Sequence, residues 1–326
     1  MKKAAKVWLI IAVVFAVLGL AIFIAAMAMN GWNFGKMGKS DFETNTYEVG
    51  EKFEKISIDL TTDDISFRIS DDKSCKVVCR EQEKTKHTVG VKDKTLEIKT
   101  TDNREWFEHI SLFGFESPQT TVYLPEKDYD TLVIRTDTGK VEIPGDFTFA
   151  SIDITGETGD VTCSASSKGA TKIDLSTGSI EMKNASTGAL SLSVSTGHIS
   201  MDAIKAEGEI KTTSSTGKTK LKNVTCDQLS SGGSTGDMVM SHVLVKKLLS
   251  VERSTGDIVL DGCDAGEIYI KTSTGDVTGT LQSEKVFITE TDTGDINVPK
   301  TSTGGKCEIE TNTGDIRIDI QQKNQE

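Results

Sequence analysis

Five aspartates return at near-constant spacing: Asp237, Asp257, Asp276, Asp295 and Asp315 are 20, 19, 19 and 20 residues apart, each directly after a Thr-Gly pair. If the chain stacks these phrases, the carboxylates form a ladder. Carboxylates in close file repel each other unless they are solvated, hydrogen-bonded or bridged by a cation such as Ca²⁺. The competing reading is that each Asp caps its own turn by accepting backbone N–H bonds. The second reading is preferred, so no metal and no cofactor is expected. Gly232-Gly233-Ser234-Thr235-Gly236-Asp237 does not fit the Gly-Gly-x-Gly-x-Asp calcium repeat, because its spacing is wrong.

Other chemistry-bearing residues read as structural. Gly232-x-Ser234-x-Gly236 matches a hydrolase nucleophile elbow, but the Ser234 position is also serine in Ser176, Ser195, Ser215, Ser254 and Ser273. The histidines, His87, His109, His198 and His242, lack metal-ligand spacing, and each reads as an exposed polar residue. Cys75 and Cys79 stand four apart on one expected strand, roughly 13 Å, too far to bond each other. Cys163, Cys263 and Cys307 fall on repeat positions suited to small core residues, so the six cysteines are expected to be mostly free and buried. No catalytic residue is expected.

The aspartates belong to a longer series. Adding Gly139, Gly159, Gly178, Gly197 and Gly217 extends the phrase to ten copies at steps of 19 or 20 residues. Such regularity marks a stacked-repeat architecture. Two residues after the glycine comes an apolar side chain in nearly every copy: Val141, Val161, Ile180, Ile199, Met238, Ile258, Val277, Ile296 and Ile316, with Thr219 the exception. Four residues after it stand Ile143, Met182, Met201, Leu221, Met240, Leu260, Val298 and Ile318. This alternation is a strand with one buried face. A second apolar pair, such as Ile173 and Leu175, Leu190 and Leu192, Ile268 and Ile270, or Val286 and Ile288, marks a second strand. Val224, Val243 and Cys263 fall at the corner between the two. The expected fold is all-β: a parallel β-solenoid, or β-helix, of 19–20-residue coils with two short strands each. Ten coils at the interstrand spacing make a rod section of roughly 48 Å.

Residues 1–6 read as a cytoplasmic tail and 7–29 as a transmembrane helix. Val7 to Met29 carries no charge and is long enough to cross a bilayer of about 30 Å. Lys2, Lys3 and Lys6 place that end inside and the β-domain outside, as a single-pass protein of the cell membrane. Cleavage after Ala26-Met27-Ala28 is the alternative. Residues 30–46 read as a linker and 47–138 as a looser β-strand region. Residues 101–118 interrupt that region as an aromatic cap or loop, in which Trp106, Phe107, Phe113 and Phe115 are candidate binding residues for membrane or ligand. Residues 139–320 form the regular coils and 321–326 a polar tail.

The net charge is −12. Taking the five lysines of residues 1–40 from the 37 basic residues leaves 32 against 49 acidic ones, a net −17 for the remainder. A domain this acidic is a poor partner for nucleic acid, teichoic acid or anionic lipid. The coils hold their length from Gly139 onward, which provides no wall for a carbohydrate-cleaving cleft.

Val122-Tyr-Leu-Pro125, Tyr129-Asp-Thr-Leu-Val-Ile134, Thr138-Gly139-Lys-Val-Glu-Ile143 and the repeated Ser-Thr-Gly-Asp-Ile/Val coils carry a resemblance. From about residue 45 to 318 the chain resembles the bacterial β-strand-repeat family labelled "putative adhesins", a domain of unknown function. The resemblance implies a cell-surface or envelope role and supplies no catalytic residues. The expected function is therefore a membrane-anchored, extracellular, non-catalytic binding or envelope-structural module. Its partners would be the bilayer, through the helix, and a cell-envelope glycan or protein. The alternatives are an envelope-stress or regulatory accessory protein that binds another membrane protein, and a carbohydrate-active β-helix enzyme.

Overall fold

The computed structural model describes residues 3–29, 42–82, 84–102 and 117–321. Helix α1 runs Lys3–Met29. Among the described residues, no helix is long and apolar enough to cross a membrane.

The rest is a parallel β-solenoid of about ten turns. In each coil one strand leads into the Thr-Gly corner (sheet A) and the next leads away from it (sheet B). Ile154 pairs with Ile134 on one side and Ile173 on the other, both in parallel register. Across the corner, Val161 pairs with Val141 and with Ile180. The apolar columns meet inside: Val161, Ile180, Ile199, Met238 and Ile258 are buried, as are Cys163, Met182, Met201, Leu221 and Leu260. All six cysteines are free and buried.

The corner demands glycine. Gly197 has φ +147°, and a Cβ there would stand 1.7 Å from the Gly178 carbonyl oxygen one coil away. An L side chain meets both a forbidden dihedral and a backbone collision. The opposite corner works differently. Asn184, Ala203, Asn223, His242 and Gly262, each six residues past its glycine, adopt φ of 51–58°. Asn and Gly accept this left-handed region most readily. The next residue, Ala185, Ile204, Val224, Val243 or Cys263, turns inward and is buried.

The N-terminal region is not a run of looser coils. Its strands are β1 (Phe42–Val49), β2 (Lys55–Leu60), β3 (Asp64–Ile69), β4 (Cys75–Gln82), β5 (Thr85–Lys92), β6 (Thr95–Asp102) and β7 (Gln119–Leu124). β1 begins inside the stretch expected as a linker. β2 lies between β6 and the strand Asp128–Thr138, and β3 has β7 on one side and Val141 on the other. The β6–β7 coil therefore sits outside the β2–β3 coil, although it follows it in sequence. β4 pairs antiparallel with β1 and β7, and β5 antiparallel with β6, so these strands close the end of the rod.

The far end shows the same inversion. The last strands in sequence, Gly305–Thr313 and Ile316–Ile320, insert between Ile258–Thr274 with Val277–Leu281 and Lys285–Thr293 with Ile296–Asn297. The outermost coil is thus the Gly294 coil. This corrects two expectations. Ile296 was placed in a buried column but is 45% exposed, because no coil covers it. Val286 and Ile288 were placed inward but face out; Phe287 and Thr289 take the inward register opposite Cys307 and Ile309. The Thr-Gly phrase sets the phase, and counting back from Gly294 gives Val286 and Ile288 the outward parity.

Candidate functional site

The aspartate ladder exists, in a different order and with a different role for each carboxylate. Along the rod the sequence is Asp237, Asp257, Asp276, Asp315, Asp295. Asp237 Oδ1 accepts the Asp257 backbone N–H at 3.3 Å, and Asp257 Oδ1 that of Asp276 at 2.9 Å. Asp276 Oδ1 accepts the Asp315 N–H at 2.8 Å, and Asp315 Oδ1 the Asp295 N–H at 2.7 Å. Asp237, Asp257, Asp276 and Asp315 thus each cap the neighbouring coil's turn rather than their own. Asp160 does the same for Ser179 and Asp64 for Lys140, each at 2.9 Å. One oxygen of each such pair is committed, and hydrogen bonding offsets the repulsion along the file. Lys218 and Arg317 stand beside Asp237 and Asp315. Trp106, Phe107, Phe113 and Phe115 lie outside the described residues.

The interior holds a cation that reading by columns treats only as an irregularity. Arg253 is buried, and its guanidinium donates to Ser231 Oγ at 3.0 Å and to Thr219 Oγ1 at 3.2 Å. Its room comes from Gly233, where a Cβ would meet Arg253 Nη1 at 2.5 Å and the Ser214 carbonyl oxygen at 2.7 Å. Thr219, the one break in its apolar column, is thereby explained as a hydroxyl acceptor. Burial lowers the Arg253 pKa to about 10.

The densest chemistry lies at the N-terminal end, where the sequence reading placed only an exposed histidine. On β4, Val77, Cys79 and Glu81 share the inward parity; on β5, Thr85 and His87 do. Asp63, between β2 and β3, lies beneath Gly139 at the foot of the glycine column. Glu81 is 0% exposed, Asp63 2% and His87 5%. His87 Nδ1 lies 2.5 Å from Glu81 Oε2, and Nε2 lies 2.9 Å from Asp63 Oδ1. Glu81 Oε2 also accepts the His87 backbone N–H at 2.6 Å. Glu81 Oε1 accepts from Asn45 Nδ2 at 2.7 Å and the Tyr47 hydroxyl at 3.0 Å, both from β1. Thr120 donates to Asp63 Oδ1 at 2.8 Å and lies 3.7 Å from Cys79 Sγ.

Two opposing influences set the charges. Burial alone would depress the His87 pKa, but Asp63 and Cys79 outweigh it and push it up to about 11. Burial would likewise raise Glu81. The donors Asn45, His87 and Tyr47 outweigh that and hold its carboxyl below the ordinary range. The cluster is therefore an imidazolium clamped between two carboxylates. The sequence signal for it was parity: a histidine and a glutamate on inward positions of strands.

On one flank, Lys205, Ala206, Val245, Lys246 and Ala265 line a groove of about 520 Å³. Leu244, at its edge, is 39% exposed.

Fold and surface together define a parallel β-solenoid, closed at its N-terminal end by antiparallel strands, with hydrogen-bonded aspartate corners. The sequence matches Toastrack DUF4097 over residues 53–215 and again over 214–326, so the chain belongs to that family. Among solved structures it is similar to a "putative lipid binding protein" from Parabacteroides distasonis, at 12% identity and TM-score 0.47, over 86% of this chain and 98% of that one. It is also similar to a "putative adhesin" from Bacteroides fragilis, at 13% identity and TM-score 0.40, over the same shares. A third, a "putative adhesin" from Parabacteroides merdae, has 12% identity and TM-score 0.43, again over 86% and 98%. No curated protein matches the chain.

Proposed function

We propose that this chain is a non-catalytic binding rod of the bacterial cell surface, held to the membrane by its N-terminal helix. The observation that carries the reading is the strict register of the coils. In the run that ends at each corner threonine, from 132–138 to 268–274, the sheet A strands pair in one unbroken parallel register. Exposed side chains therefore line up in files about 4.8 Å apart. A surface repeating at one spacing suits an extended partner, such as an envelope glycan strand or a protein edge, which binds through many weak contacts. Anchoring rests on the sequence: Val7 to Met29 is uncharged, and Lys2, Lys3 and Lys6 favour a cytoplasmic N-terminus.

Protease added to intact cells, or to protoplasts where a wall blocks access, is expected to digest the chain beyond about residue 41 and to spare the helix. A C-terminal tag that stays protected refutes the topology. The full-length chain in micelles is expected to retain purified envelope glycan or protein without converting it. Turnover of the retained material refutes the non-catalytic reading.

A further inference from the structure

The cluster at the closed end of the rod combines three ligand types that metal proteins use. Cys79 Sγ, one Glu81 carboxylate oxygen and one His87 ring nitrogen all lie within 4.8 Å of one another. Asp63 Oδ1 stands 2.9 Å from His87 Nε2, the ring nitrogen opposite the one that faces Glu81. That Nε2 is a buried ring nitrogen without a hydrogen-bond partner. It touches the Asp63 carboxylate but lacks the alignment of a hydrogen bond. A buried polar atom left in this state asks for an explanation.

We propose that Cys79, Glu81 and His87, the last through the ring nitrogen that faces Glu81, form a binding site for a divalent transition metal of the zinc class, with Asp63 as the outer partner of the other ring nitrogen. A set of thiolate, imidazole and carboxylate selects zinc-like ions over Ca²⁺ and Mg²⁺, which take oxygen ligands. Cys79 and Glu81 project from one strand and His87 from the strand joined to it by a hairpin, so the ligands are mounted on paired backbone. The groups around them already hold the ligands in place. Asn45 and Tyr47 bind the outer oxygen of Glu81, and Thr120 binds Asp63. Such outer hydrogen bonds orient metal ligands and tune affinity. Bonds of about 2.0–2.3 Å put tetrahedral ligand atoms roughly 3.5 Å apart. The present 2.5 Å contact of His87 Nδ1 with Glu81 Oε2 must therefore open by about 1 Å as the metal replaces the proton between them. The balance is simple: M²⁺ enters, the His87 imidazolium loses one proton, the Cys79 thiol loses another, and two protons leave. Edge strand β1, which pairs with β4 alone among the described residues, covers Glu81 and is the element whose loosening admits the ion.

The test uses the full-length chain in micelles, stripped with a chelator and titrated with Co²⁺ and then Zn²⁺. One Co²⁺ per chain is expected, with a thiolate-to-cobalt charge-transfer absorption that one equivalent of Zn²⁺ abolishes. Cys79→Ser is expected to remove the charge-transfer band, and His87→Gln to weaken binding by at least about tenfold. Cys307→Ser, at the other end of the rod, is expected to change neither. Circular dichroism of the stripped variants shows whether each still folds. If His87→Gln does not fold, the wild-type spectrum and Cys79→Ser still decide. A wild-type chain without the charge-transfer band overturns the proposal, and so does a band that survives in Cys79→Ser. The surface-binding role stands or falls separately, since it rests on the coil faces.

Discussion

At the scale of single residues, the corner aspartates and the inward columns differ in what a substitution removes. Asp257→Asn keeps an amide oxygen that can still accept the Asp276 N–H, so the loss should stay below ~1 kcal/mol. Leu260→Asp puts a carboxylate where the side chain is 1% exposed and apolar neighbours surround it, which should cost ~4 kcal/mol or more. Thermal and urea melts of the two variants measure the gap, and equal losses contradict the column assignment. Calcium addresses the ladder from the other side. Each of Asp237, Asp257, Asp276 and Asp315 already commits Oδ1 to the next coil. Millimolar Ca²⁺ is therefore expected to leave the melting temperature almost unchanged. A large calcium-specific rise, lost in the Asp257→Asn/Asp276→Asn double variant, would identify the file as a cation site.

At the scale of the element, the coil tolerates a buried cation because three neighbouring strands changed together. Gly233 makes room, Ser231 and Thr219 accept, and Arg253 fills the space where other coils carry apolar or hydroxyl side chains. Gly233→Ala should therefore cost more than ~2 kcal/mol, since its Cβ meets both the guanidinium and a backbone carbonyl. Combining it with Arg253→Ser should recover only the part due to the guanidinium, because the Ser214 carbonyl stays 2.7 Å from that position. A double-mutant cycle on melting data reads this coupling directly. Strict additivity would show that the two residues do not share the space.

At the scale of the whole molecule, the rod ends are braided. The coil that ends the sequence is held between two earlier coils, and the outermost coil, 285–297, rests on it. Removing residues 305–326 should not shorten the rod by one clean turn. It strips the Gly294 coil of its sheet partners, so two coils are lost together. Hydrogen exchange should show amides 285–297 losing protection in the truncated chain while those near Ile199 keep theirs. Retained protection at 285–297 contradicts the inserted order. Closure at the other end uses antiparallel strands β4 and β5, whereas the Gly294 coil leaves its outer strand edges unpaired among the described residues.

The sequence alone determined the repeat. A 19–20-residue period, a glycine at each corner and apolar residues two and four places later are local facts, because a parallel stack repeats one side-chain pattern in every coil. The free, buried cysteines and the capping use of the aspartates followed from the same columns. The phase of Val286 and Ile288 was also legible, by counting back from Gly294. Three things required the tertiary structure. The order of the coils at both ends did, because identical strands pair with any neighbour and nothing in a repeat says which one is adjacent. The partner of each aspartate did, because the N–H it caps belongs to another coil. The meeting of Asp63, Cys79, Glu81 and His87 did, because β4 and β5 leave the repeat and fold back antiparallel, joining a corner residue to strand residues that no fixed spacing connects.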